Sequence, residues 1–223
     1  MPSSLFSSPE HLRVLWHDLQ KAPTAMQAFL ENMQGGVYGK LPPDVQTSLG
    51  TLAATSTEQE LLLRTVQLLN KCEAGIALGT PQRIQAAASI QATVRRLTPW
   101  LTVRKRPITL AVQTTTLSLP KDGWDGVVIL LVGTAGFLPK GTDLRLAGTL
   151  HEGRYTLTLA ATGIGALPPE TRAARITALF TKTPTPWTNA ARCLYVLRKL
   201  APALGGKVTT APNTLIQLTL PLS

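Results

Sequence analysis

His17 and Asp18 are adjacent within the stretch Trp16-His17-Asp18-Leu19-Gln20-Lys21, and an imidazole beside a carboxylate is a pair able to do chemistry. Imidazole is a nucleophile that can be neutral near pH 7, and a neighbouring carboxylate can fix which ring nitrogen keeps the proton. Trp16, Gln20 and Lys21 flank the pair as candidate contacts for an incoming partner. Lys21 either meets an acidic group on that partner or is only solvated. The pair is useful only if the local structure turns it outward.

That condition is met if Ser8 to Gln34 is a helix. Leu12, Leu15, Leu19, Ala22, Met26, Phe29 and Met33 recur at alternating spacings of three and four, the seam of a helix that packs along a partner helix. His17 then falls opposite the seam. Ser8, Pro9 and Glu10 mark the helix start, and Gly35-Gly36 ends it. After a connection through Pro43, a second long helix is expected from about Asp44 to Cys72, with apolar Val45, Leu49, Leu52, Leu62, Leu63, Val66 and Leu69 and a polar middle around Ser56 to Glu60. Two such helices form an antiparallel hairpin. One hairpin cannot bury both stripes, whereas two related by a twofold axis make a four-helix bundle, so a homodimer is expected.

The remaining sequence changes character. Glu73-Ala74-Gly75 and Gly79-Thr80-Pro81 break the second helix and place a domain boundary at 78/79, between domains 1–78 and 79–223. Pro81 to Leu97 reads as helix, Ile108 to Thr116 as strand, and Gly126 to Val132 as an apolar run of either type. Asp143 to Leu150 and Tyr155 to Ala160 alternate as strands around a turn at His151-Glu152-Gly153-Arg154. Arg172 to Phe180 and Asn189 to Leu204 read as helices, Gly205-Gly206 stops the latter, and strands Lys207 to Thr210 and Thr214 to Leu220 close the chain. The fold class is α+β: a helical hairpin followed by an α/β sandwich with mostly antiparallel strands.

Composition narrows the classes of function. The chain has 223 residues, 44% of them hydrophobic, enough for substantial cores. No apolar run is long enough to span a bilayer and no signal-peptide pattern opens the sequence, so a cytoplasmic protein is expected. Cys72 and Cys193 stand apart without a CxxC or Cys/His cluster, which suggests neither a disulfide framework nor a metal site. Both read as packing residues. The formal charge of +10 favours polyanions or acidic proteins. Its densest part, Arg95-Arg96 with Arg104-Lys105-Arg106, is either a solvated loop edge or a docking surface. No recognition helix or interleaved aromatic-basic motif argues for nucleic acid. His11 reads as a packing or capping residue, His151 as a turn residue, and Trp100, Trp124 and Trp187 as covers for core edges.

Two stretches resemble a known family. "HDLQKAPTAMQAFLENMQGGVYGKLPP" is similar to the dimerisation and histidine-phosphotransfer hairpin of sensor histidine kinases, and His17 matches the phosphoacceptor. "TLTLAATGIGALPPE", "ALF" and "VLRKLAPALGGKVTT" through "LIQLTLPLS" follow the order of that family's ATP-binding domain. The resemblance implies a dimeric signalling protein whose partner is a response-regulator receiver domain or another acidic protein.

The same resemblance locates departures. Gly133 stands about where the family has a magnesium-binding asparagine. Ala161 stands where an aspartate reads adenine, and a methyl group accepts no hydrogen bond. Gly163 and Gly165 persist, but Asn189, Ala191 and Cys193 replace the glycines of the second phosphate loop. The nucleotide site is therefore degenerate, no cofactor is expected, and autokinase activity is not. Around His17, Pro23 is displaced by one position, and Lys21 replaces the threonine or asparagine that the family uses to position water for dephosphorylation. The functions left open are phosphotransfer through His17 and non-catalytic scaffolding through the retained fold and basic surface.

Overall fold

A computed structural model of the chain describes residues 9–138, 143–162, 189–211 and 214–222. The chain forms two compact units, Met1–Gln67 and Leu68–Ser223. The first is the helical hairpin of α1 (Pro9–Gln34) and most of α2 (Pro43–Glu73). Gly36, at φ +79°, turns the chain out of α1: its N–H donates to the Met33 carbonyl and the Val37 N–H to the Asn32 carbonyl, the paired bonds of a Schellman stop. Near this end Leu30, Leu49 and Ala53 form a buried cluster, with Met33, Leu41 and Val45 packed against it. Full burial of each such leucine contributes about 1.5–3 kcal/mol.

The polar middle of α2 is not a solvated face. Ser56 is 1% exposed and Thr57 7%. Leu61 and Leu68, absent from the apolar stripe read in the sequence, are fully buried. Leu68 lies in the turn of α2 that counts with the second unit, where it closes on Gly126. The division between the units falls at 67/68, eleven residues before the boundary read at 78/79.

The second unit is a sandwich. Its strands are β1 (Pro81–Gln85), β2 (Ile108–Val112), β3 (Thr116–Pro120), β4 (Asp143–His151), β5 (Arg154–Thr162), β6 (Lys207–Ala211) and β7 (Thr214–Pro221). Its other helices are α3 (Ala86–Val103), α4 (Lys121–Phe137) and α5 (Asn189–Ala203). One sheet has the order β2-β4-β5-β7-β6, parallel at β2-β4 and antiparallel elsewhere, and β1 pairs antiparallel with β3. Leu144 and Leu146, then Tyr155, Leu157 and Leu159, then Ile216, Leu218 and Leu220 point to the buried face. Thr156, Thr158, Gln217 and Thr219 alternate with them on the other. The hairpin at Glu152-Gly153 forms as read, with both residues at positive φ and His151 opposite Arg154.

Three readings change. Pro81 to Gln85 is strand rather than helix, because pairing with β3 overrides the local propensity. The strand read over 108–116 ends at Val112, and β3 follows it. The ambiguous run at Gly126 to Val132 is helical and buried all round, so it shows no amphipathic stripe. The helix read over Arg172 to Phe180, the cap Ser8 and Trp187 lie outside the described residues.

Glycines let α4 sit deep in the core. A Cβ at Gly126 would press on Leu68 and Leu200, and one at Gly136 would stand 2.1 Å from the Trp100 ring. Trp100 is fully buried and meets Phe137 edge to face at 5.2 Å. Gly136→Ala should therefore cost about 1–3 kcal/mol through overpacking, read as a lower thermal midpoint. The loss should shrink in a Trp100→Leu background; an equal loss in both would reject this contact as the cause.

Candidate functional site

α1 has three faces. At about 3.6 residues per turn, Trp16, Gln20, Pro23, Gln27 and Leu30 share one side, and all are buried or half-buried. Leu15, Leu19, Met26 and Phe29 share the next, and are 38%, 42%, 43% and 53% exposed. The seam read in the sequence is thus not the stripe that packs on α2. Leu15, Leu19, Met26 and Phe29 remain exposed within one chain, along with Leu52 and Val66 of α2, whereas Met33 of that seam packs against the Leu30 cluster.

His17 lies on the third face, opposite the uncovered stripe, with its side chain 71% exposed. Its Nδ1 is 3.5 Å from Asp18 Oδ1, an ion-pair distance rather than a tight hydrogen bond. The same oxygen accepts from Lys21 Nζ at 2.8 Å. Lys21 is therefore the main partner of Asp18, and the simple picture of a carboxylate devoted to the imidazole is corrected. The Lys21 hydrogen bond and charge, with a smaller contribution from His17, hold the Asp18 carboxyl below its usual range. With Nδ1 turned toward Asp18, Nε2 is the ring nitrogen that this acid does not engage.

The flanking residues divide. Lys21 is exposed and paired, while Gln20 is half-buried. Trp16 is half-buried and lines an apolar groove of about 400 Å3 with Leu19, Pro23, Gln59, Leu62, Leu63 and Val66. The indole Nε1 is buried without a partner, so Trp16 serves the hairpin's own packing as well as its surface. The sequence reading missed Ser56, whose hydroxyl crosses to the Pro23 carbonyl at 3.2 Å. A serine inside a weak stretch of the apolar pattern was the available signal.

The positions read as a degenerate nucleotide site are dispersed over several elements. Ala161 is half-exposed on β5, opposite Leu144 of β4. Gly133 is buried on α4. Asn189, Ala191 and Cys193 are helical, in the first two turns of α5, with Ala191 and Cys193 fully buried. They are not a loop, because α5 packs these side chains into the core. Gly163 and Gly165 lie outside the described residues. Among the described residues no group of three His, Cys, Asp or Glu side chains could hold a metal ion.

The basic cluster is not one surface. Arg106 is 2% exposed, with Nε and Nη2 donating to the Leu138 carbonyl at 3.0 and 2.9 Å and Nη1 to the Lys105 carbonyl at 3.0 Å. It serves the otherwise unpaired carbonyl at the end of α4. Arg104 lies over the Trp100 and Phe137 rings at 5.7 and 5.3 Å. Arg106 is thereby removed from the surface cluster read in the sequence, while Arg95, Arg96 and Lys105 are exposed.

Comparison with solved structures places this architecture. The chain is similar to the Acinetobacter baumannii histidine kinase AdeS at 16% identity and a TM-score of 0.56, over 93% of this chain and 98% of that one. It is also similar to full-length ShkA in complex with AMPPNP at 18% identity and a TM-score of 0.50, over 95% of this chain but 45% of that one. No protein-family model matches the sequence, and neither does any curated protein. The chain has the fold of a histidine-kinase core. Among the described residues no helix is long and apolar enough to cross a membrane.

The shared oxygen of Asp18 gives a pH signature. Its folded pKa is depressed, so the Asp18–Lys21 contact is intact above the ordinary carboxylate range and is lost as pH falls through the lowered value. Carboxyl NMR titration should show Asp18 titrating below a normal aspartate and returning toward normal in Lys21→Ala. An unchanged midpoint in that variant would exclude Lys21 as the cause.

Proposed function

We propose that this protein is a homodimeric histidine phosphotransfer protein of two-component signalling that works without ATP, through His17 and a receiver-domain partner. The observation that carries the reading is an exposed imidazole on the hairpin of a histidine-kinase fold, with Nδ1 facing an acid and Nε2 free. In this reaction the Nε2 lone pair attacks the phosphorus of an aspartyl phosphate, the P–O bond to the receiver carboxylate breaks, and the carboxylate leaves. The Nδ1 proton stays on the ring, where Asp18 favours the resulting cation. Lys21 supplies a positive charge one turn away for the phosphoryl oxygens. The donor and acceptor receivers bring their own machinery, so the hairpin needs only an accessible nucleophile.

The uncovered stripe of Leu15, Leu19, Met26 and Phe29 supports the dimer, since a second hairpin would bury it. The chemistry at Gly133 and Ala161 supports the loss of nucleotide binding: neither side chain offers an oxygen. Scaffolding through the basic cluster is disfavoured by the engagement of Arg104 and Arg106 within the fold.

Incubation with a phosphorylated receiver should label the wild-type chain and not His17→Gln. Absence of label with every receiver tried would reject phosphotransfer. In a separate calorimetric titration, millimolar ATP with magnesium should give no binding heat and no rise in thermal midpoint. Saturable binding would reject the ATP-independent reading while leaving His17 in place.

A further inference from the structure

Seven hydroxyl side chains stand on α2, and six of them fold back on their own helix. Thr47, Ser48, Thr51, Thr55, Thr57 and Thr65 each donate to the carbonyl four residues earlier. Ser56 alone does otherwise: its Oγ donates across the hairpin to the Pro23 carbonyl of α1, at 3.2 Å. It is 1% exposed, so water does not compete for this bond.

The bond falls where α1 is weakest. Pro23 has no N–H to give the Leu19 carbonyl, so one rung of the helical ladder is missing, and its ring crowds the preceding turn. His17 stands six residues before this break. On the far side of it α1 is well held, with Thr57 Oγ1 and Gln27 Oε1 3.4 Å apart and Leu30 packed with Leu49 and Ala53. On the His17 side an apolar groove lined by Trp16, Leu19, Pro23 and Leu62 opens along the hairpin, beside the buried Leu61. Ser56 thus ties the two helices at the proline break, between the Leu30 cluster and the groove.

We propose that Ser56 is a positioning residue for His17: its hydroxyl clamps α1 at the proline break and fixes the attitude of the imidazole-bearing half against α2. The role in transfer rests on the phosphotransfer reading, whereas the clamp does not.

Amide hydrogen exchange on the full chain tests the clamp directly. Ser56→Ala should speed exchange in peptides covering residues 15–24 by about fivefold, the factor one neutral hydrogen bond supplies, with residues 28–34 unchanged. In a Pro23→Ala background, where the missing rung is restored, Ser56→Ala should change nothing. An effect that is absent, uniform along α1, or equally large without the proline would overturn the clamp. Ser56→Ala should also slow phosphoryl transfer between His17 and a receiver about fivefold without weakening receiver affinity; an unchanged rate alongside faster exchange would overturn the positioning role. If the wild-type chain takes no phosphoryl group at all, the phosphotransfer reading fails, and the exchange data still decide the clamp.

Discussion

A single helix, α1, has to bury one face, carry an apolar face that one chain leaves exposed and hold an imidazole in water, all within the same few turns. Helical geometry permits this because faces separated by about a third of a turn do not compete. Trp16, Pro23 and Leu30 take the first duty, Leu19, Met26 and Phe29 the second, and His17 the third. A shift of α1 by one residue would rotate every face and turn the imidazole toward α2 or toward the apolar stripe. Register is therefore the constraint on which the candidate site depends, and polar contacts specify register better than apolar ones, because a misplaced buried hydroxyl loses its bond outright.

The sandwich meets a different demand. Its central helix, α4, is apolar on all sides and carries glycines where neighbours come closest, so Leu68, Leu200 and Trp100 pack against backbone. Of the positions read in the sequence as a degenerate nucleotide site, Gly133 is buried, and Ala191 and Cys193 are turned into the core. Buried tyrosine follows the same logic. Tyr155 occupies space that a side chain at Gly148 would fill, and burial pushes its phenol up to about 12.

Much of the architecture was legible in the residues. The two long helices, the Glu152-Gly153 hairpin, the final helix with its glycine stop and the closing strands all carry local signals that agree with the fold. The failures share a cause. β1 lacks alternation and exists because β3 lies beside it; α4 is buried all round and so has no stripe; Arg106 looks like surface charge until the carbonyl it caps is in place. Each depends on a neighbour distant in sequence.

At the site, the sequence by itself determined that His17 stands on an outward face beside an acid, because helical periodicity and adjacency are local properties of the chain. It determined as well that Gly133 and Ala161 carry no side-chain oxygen, since no fold can supply an atom the residue lacks. Only the tertiary structure decided that Arg106 leaves the basic cluster to cap the Leu138 carbonyl, and that a serine of the second helix reaches the proline of the first. Those outcomes depend on distances of about 3 Å between groups up to 33 residues apart, and periodicity carries no information at that scale.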